Sequence, residues 1–299
     1  MSDELEASIR RALHDSRLDL SLEFRQAPDG AKSGELEVKD ASGATIAHLP
    51  LESPEAMIVA LARLVQLAFG ETSTPPQRPR PETGVLVAGV DGYRKGWVAV
   101  SLDPSGDVRV STHATFVEVL SSQARVIAVD IPIDPRGLGV RAADAGARAL
   151  VGGSRASSIF PTPPREALEA RTFAEANEIA RTITGTGISQ QAFALGRKIL
   201  EVHALAEVDD RVIEMHPEVS FRELAGAPLA ESKHTADGLA RRRELLAAAG
   251  ITLPGAVPGV PEADLLDAAA GAWTAARYAG GKAHALPSDQ AERLGTIWR

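Results

Sequence analysis

The chain has 299 residues, an apolar fraction of 44%, no cysteine and a net charge of -8. The lack of cysteine excludes disulfides, thiolate metal sites and cysteine nucleophiles. The acidic balance argues against a nucleic-acid coat protein, which needs clustered positive charge, though not against a nuclease whose basic groups lie on one face. The polar start Met1-Ser2-Asp3-Glu4 and the absence of a long apolar run lead us to expect a soluble, cytoplasmic protein with no membrane association.

In chain order, Leu5, Ile9 and Leu13 have helical spacing, and residues 18–24 alternate as a strand does. Residues 34–38 and 44–51 read as two more strands, joined through the turn Asp40-Ala41-Ser42-Gly43. Ser53 then caps a helix with Pro54 at its first position and Met57, Leu61, Val65 and Phe69 along one face. This predicts a small α+β domain over residues 1–70. It carries no glycine-rich phosphate loop and only two scattered histidines, His14 and His48. An accessory role is therefore expected, through homo-oligomerisation or a protein partner. Residues 71–84 contain four prolines and read as a stiff, exposed linker.

The large domain, 85–299, begins with strands at 85–91, 97–102 and 108–111, the last two joined by the turn Asp103-Pro104-Ser105-Gly106. A short helix over 115–122 leads to a strand at 126–131. Helices follow over 139–150, 165–180 and 189–207, then a fifth strand at 211–216 and a closing helix at 263–278. A three-strand meander, a crossover helix and a strand parallel to the first is the opening of the ribonuclease H-like fold. The expected class is α/β, an RNase H-like mixed five-stranded sheet flanked by helices.

Two strands end on an aspartate: Val87-Ala88-Gly89-Val90-Asp91 and Ile127-Ala128-Val129-Asp130. For either alone, capping of the next turn is the commoner explanation. On neighbouring parallel strands, about 4.8 Å apart, the two carboxylates could share a divalent cation. Asp264 and Asp267 sit three apart near the start of the closing helix. Asp264 suits the helix dipole, while Asp267, inside Leu265-Leu266 to Ala268-Ala269-Ala270, needs a partner or a metal. On the fifth strand Glu214 and His216 share one face, and Glu218 follows. These could add a carboxylate or move a proton, although a lone strand-end histidine is usually just hydrogen-bonded. Arginines are in excess between Arg136 and Arg171. Residues 152–165, rich in hydroxyls, glycine and proline, form either an anion-binding loop or a stiffened connector. Lys233-His234 and Arg241-Arg242-Arg243 read as a solvated helix face.

Several ordered strings resemble the DUF429 family of predicted RNase H-like nucleases. They are Val90-Asp91-Gly92-Tyr93-Arg94-Lys95-Gly96-Trp97, Asp130-Ile131-Pro132-Ile133, Ser157-Ser158-Ile159-Phe160-Pro161-Thr162-Pro163-Pro164-Arg165, Lys198-Ile199-Leu200-Glu201, Glu214-Met215-His216-Pro217-Glu218 and Asp264-Leu265-Leu266-Asp267. Tyr93 and His203 depart from the family pattern without touching its carboxylates. The resemblance covers residue 85 onward. It implies an RNase H-like fold and a divalent-metal site on Asp91, Asp130 and Asp267, with Asp264 accessory; Glu214, His216 and Glu218 are accessory candidates from their own positions on and after the fifth strand.

The expected activity is hydrolysis of phosphodiester bonds in DNA or RNA by two Mg²⁺ or Mn²⁺ ions, with Asp91 bridging them. Arg165, Lys198 and Lys233 are the candidate phosphate contacts. Two other readings stay open: a phosphohydrolase or phosphotransferase for a small phosphorylated metabolite, and a non-catalytic RNase H-like binding module.

Overall fold

The computed structural model describes residues 19–26, 32–39, 45–50, 85–135, 140–288 and 293–299. Near the N-terminus β1 (Asp19–Gln26), β2 (Lys32–Lys39) and β3 (Thr45–Pro50) form an antiparallel sheet in that order. The helices expected over 5–13 and 53–69 and the linker 71–84 lie outside the described residues.

A second sheet forms from residue 87 onward. Its strands are β4 (Val87–Tyr93), β5 (Gly96–Leu102), β6 (Val108–His113), β7 (Val126–Val129), β8 (Val212–Met215), β9 (Ala285–Leu286) and β10 (Ile297–Trp298). The order is β6-β5-β4-β7-β8-β10-β9. The meander pairs antiparallel, whereas β7, β8 and β10 run parallel to β4, and β9 closes the edge antiparallel to β10. The sheet therefore has seven strands rather than five. The five expected strands stand together in it, and the two added ones are only two residues long, too short to show a period of two.

Helices cover both faces: α1 (Phe116–Leu120), α2 (Ala142–Val151), α3 (Arg165–Leu168), α4 (Phe173–Thr184), α5 (Gln190–Ala194), α6 (Gly196–Val208), α7 (Pro217–Ala225), α8 (Ala236–Ala248) and α9 (Glu262–Ala279). The single helix expected over 165–180 is two. Thr172 takes extended backbone and its hydroxyl accepts from the Glu175 N–H, so a new helix starts there. The one expected over 189–207 also divides, at Leu195. None of the described helices is long and apolar enough to cross a membrane.

The pleat sorts the strand residues into two cores. Val87, Val126, Ala128, Ile213 and Met215 pack with α9 and α8 on one face. Ala88, Val90, Ile127, Val129 and Val212 pack with α1 and α6 on the other. Gly89 and Gly271 let α9 lie directly on β4. A Cβ on Gly89 would fall 1.9 Å from the Ala272 nitrogen, and one on Gly271 would fall 2.9 Å from the Gly89 Cα. Glycine at both positions thus sets how near α9 comes to the sheet, and with it the position of Asp267.

Candidate metal centre

Asp91 follows Gly89 and Val90, so alternation turns it to the face that carries α9. Asp130 has the same parity after Ala128, and its N–H still donates to the Val90 carbonyl at 2.9 Å, which carries the β4–β7 ladder to the strand ends. From α9, Asp267 meets them. One oxygen of each of Asp91, Asp130 and Asp267 lies within 4.8 Å of the others. Oxygens around a single six-coordinate Mg²⁺ would be spaced about 3 to 4.2 Å apart, given bonds of about 2.1 Å.

The immediate partners leave one clear opening. Asp91 Oδ1 accepts from the Gly92 N–H at 2.6 Å. Asp267 Oδ2 accepts from Lys233 Nζ at 2.7 Å. Asp267 Oδ1 is buried with no hydrogen-bond partner, and its residue is only 1% exposed. A buried carboxylate oxygen without a donor is costly in an apolar surround, so it suits a cation. The donor set is all oxygen, as Mg²⁺ or Mn²⁺ prefers.

Burial raises the carboxyl pKa of Asp91 well above its ordinary range, and repulsion from Asp130, Asp267 and Asp264 adds to it. Burial likewise raises Asp130, and repulsion from Asp267 adds to it. Asp267 is raised by burial, against the pull of Lys233 and Arg242. Asp264, half-buried at the rim, is raised by burial and then by Asp267. Burial acts against the Lys233 ammonium, but Asp267, Asp130 and Asp91 outweigh it and push its pKa upward. The group thus carries an excess of negative charge that a cation relieves.

A cleft of about 650 Å³ opens over this cluster, lined among others by Asp91, Asp130, Asp264, Arg155, Lys233 and His234. Glu214, Glu218 and His216 also line it, yet each has a local partner. Glu214 shares its pleat parity with Val212 and turns away from the aspartates. It accepts from Arg141 Nη2 at 2.6 Å, Arg141 Nη1 at 2.9 Å and the Ile133 N–H at 2.9 Å. Arg141 also grips Asp144 at 2.6 Å, whose other oxygen accepts from the Thr162 N–H. This buried network anchors the loop that ends in Arg165. Glu218 pairs with Arg242 at 2.7 Å. His216 caps α7: its Nδ1 accepts from the Glu218 N–H at 3.2 Å, and burial drops the ring's pKa to about 4.

Among the expected phosphate contacts, Lys233 lines the cleft and binds Asp267. Lys198 sits near Asp91, where its Nζ donates to the Gly96 carbonyl at 2.6 Å and lies 4.0 Å over the Trp97 ring. Arg165 is outside the cleft lining and pairs with Glu169 at 2.6 Å. One reading needs correcting: Arg242 is no solvated residue but fully buried, between Glu218 and the Glu231 carbonyl. Arg141, Asp144 and Arg242 were not picked out from the sequence as supports of the site. Their partners lie far along the chain or, for Asp144, read as an ordinary first-turn helix acid.

Fold and site together define a mixed α/β protein with an open seven-stranded sheet and an acidic triad that two central strands and the helix α9 bring together. The family model described as "Protein of unknown function (DUF429)" matches residues 89–292, and the chain belongs to that family. No curated protein and no solved structure matches it.

Proposed function

We propose that this chain is a divalent-metal-dependent nuclease that hydrolyses phosphodiester bonds, with Asp91, Asp130 and Asp267 as the metal ligands. The observation that carries the reading is the convergence of three carboxylates from separate elements, one of them with a buried, unpaired oxygen. The strand order β6-β5-β4-β7-β8, with only β5 antiparallel to its neighbours, supports an RNase H-like architecture. A bound Mg²⁺ or Mn²⁺ would supply Lewis acidity, lowering the pKa of water and stabilising charge on the departing oxygen.

The chain's own groups do the rest. Asp91, fixed by the Gly92 N–H, and Asp267, fixed by Lys233, present the ligand oxygens from β4 and α9. Asp130 is the most exposed of the three. Its carboxylate is placed to orient the attacking water. Hydrolysis forms one P–O bond from that water and breaks the P–O bond to the leaving alcohol, to which one proton passes overall. Asp264 at the rim, with Lys198 and Lys233, forms the charged surround of the scissile phosphate. The N-terminal residues 1–70 are proposed as an oligomerising or partner-binding unit outside this chemistry.

The test is Mn²⁺ calorimetry beside cleavage assays on duplex DNA, single-stranded DNA and RNA. Asp267→Asn should lose both Mn²⁺ binding and cleavage. A parent protein that binds no divalent ion, or that cleaves none of these, refutes the nuclease reading. A second reading is favoured by the cleft volume of about 650 Å³, which falls in the range of small-molecule sites. It is a phosphohydrolase or phosphotransferase for a small phosphorylated metabolite. Turnover of such a substrate would depend weakly on salt, whereas nucleic-acid binding falls steeply with it.

A further inference from the structure

Lys233 is built into the acidic cluster. The segment that carries it is held at three successive carbonyls: Ala230 accepts from Arg155 Nη2 at 3.0 Å, Glu231 from Arg242 Nη1 at 3.2 Å, and Ser232 from the Thr235 hydroxyl at 2.8 Å. Arg242 is itself fixed by Glu218, so the buried pair beneath the cleft serves to place this loop. Gly238 completes the fit, because a Cβ there would fall 1.9 Å from the Ser232 carbonyl oxygen. The Lys233 side chain, 31% exposed, then reaches 2.7 Å from Asp267 Oδ2. Its ammonium is drawn by Asp130 and Asp91 as well.

Resting on the metal-dependent reading above, we propose that Lys233 is the second cation of this site. The ammonium takes the place a second divalent ion would occupy, and the chain binds one divalent ion through Asp91, Asp130 and the unpaired Oδ1 of Asp267. Charge supports this. The three carboxylates carry three negative charges and Lys233 one positive, which leaves two for a single divalent ion to neutralise. Asp264 is half-exposed at the rim, where solvent screens it. The coordination supports it too. The ammonium holds Asp267 Oδ2, an oxygen that a second ion could use, and leaves Oδ1 for the first. The two-ion expectation from the sequence thereby becomes one ion and one lysine. In catalysis Lys233 is a point charge beside the phosphate, on the side of Asp267, and its donors are compact enough to serve a non-bridging oxygen.

The test counts ions. Mn²⁺ binding is followed by calorimetry and by the electron paramagnetic resonance of bound Mn²⁺, on the full chain and on Lys233→Met and Lys233→Arg, with thermal melting as the check of folding. The parent should bind one Mn²⁺ per chain with no spin coupling between ions. Lys233→Met should bind its first Mn²⁺ at least tenfold more tightly, because a repelling charge is gone, and should take up a second. Lys233→Arg should keep the count at one. A parent that binds two coupled ions overturns the proposal and leaves the metal-dependent reading standing. A parent that binds none overturns both. A folded Lys233→Met with the parent's count and affinity overturns the role given to Lys233. If Lys233→Met fails to fold, the parent's count and that of Lys233→Arg decide.

Discussion

Gly89→Ala tests the link between backbone packing and the metal centre. The new Cβ would lie 1.9 Å from the Ala272 nitrogen, 2.1 Å from the Ala268 oxygen and 2.3 Å from the Gly271 carbonyl carbon. All three are backbone atoms of α9, so no rotamer change relieves the clash. Ordinary contact begins at 3.4 Å against the 1.9 Å found, so α9 must withdraw by the difference, about 1.5 Å. Overpacking of this kind costs about 1–3 kcal/mol, and the rigid wall places this case at about the upper end. Asp267 immediately precedes Ala268 on α9 and travels with it. The Asp267 oxygen, now within 4.8 Å of those of Asp91 and Asp130, would be drawn away from both, against the span of about 4.2 Å that one ion bridges. Mn²⁺ affinity should fall at least tenfold. Urea unfolding and Mn²⁺ calorimetry measure the two effects, with Gly255→Ala as control, since a Cβ there meets nothing within 4 Å. A Gly89→Ala protein as stable as the parent to within about 1 kcal/mol, and binding Mn²⁺ equally well, would refute the claim that this contact sets the site.

Arg141→Met should cost about 3–5 kcal/mol in urea unfolding at pH 7, because it strands Glu214 and Asp144 as buried unpaired carboxylates. The loss should shrink at pH 5, where the Glu214 carboxyl, already raised by burial, can take up a proton. Asp91→Asn should melt higher than the metal-free parent at pH 7 and lose the stabilisation that Mn²⁺ gives the parent. The sign follows from the raised carboxyls of Asp91, Asp130 and Asp267. Their contribution favours the fold fully below the unfolded value of about 3.9 and is lost as pH rises through the raised folded values. A metal-free melting temperature that Asp91→Asn leaves unchanged at pH 7 would contradict it. Limited proteolysis should cut within residues 71–84 and leave a soluble C-terminal fragment, and precipitation of that fragment would place the domain boundary elsewhere.

The strands that end on Asp91 and Asp130 were legible in the sequence, because an apolar run broken by one charge is a local signal and the pleat repeats every two residues. The same held for Asp267, a lone carboxylate among small apolar residues of a helix. Helix divisions at Thr172 and Leu195 were less legible, since capping competes with a continuous periodicity on nearly equal terms. Strands β9 and β10 lie too far below the length at which alternation shows. Only the tertiary structure brought Lys233 to Asp267 across 34 positions, and Arg141 to Glu214 across 73. Arg242, in a run of three arginines that reads as a solvated face, is buried because Glu218 and the Glu231 carbonyl wait for it. Such pairings depend on which elements pack together and how closely. The close approach of Gly89 and Gly271, 182 positions apart in the chain, is decided by a contact between backbones rather than by any periodicity. Pattern therefore singled out Asp91, Asp130 and Asp267 one by one, and packing decided that they converge and that Lys233 stands beside them.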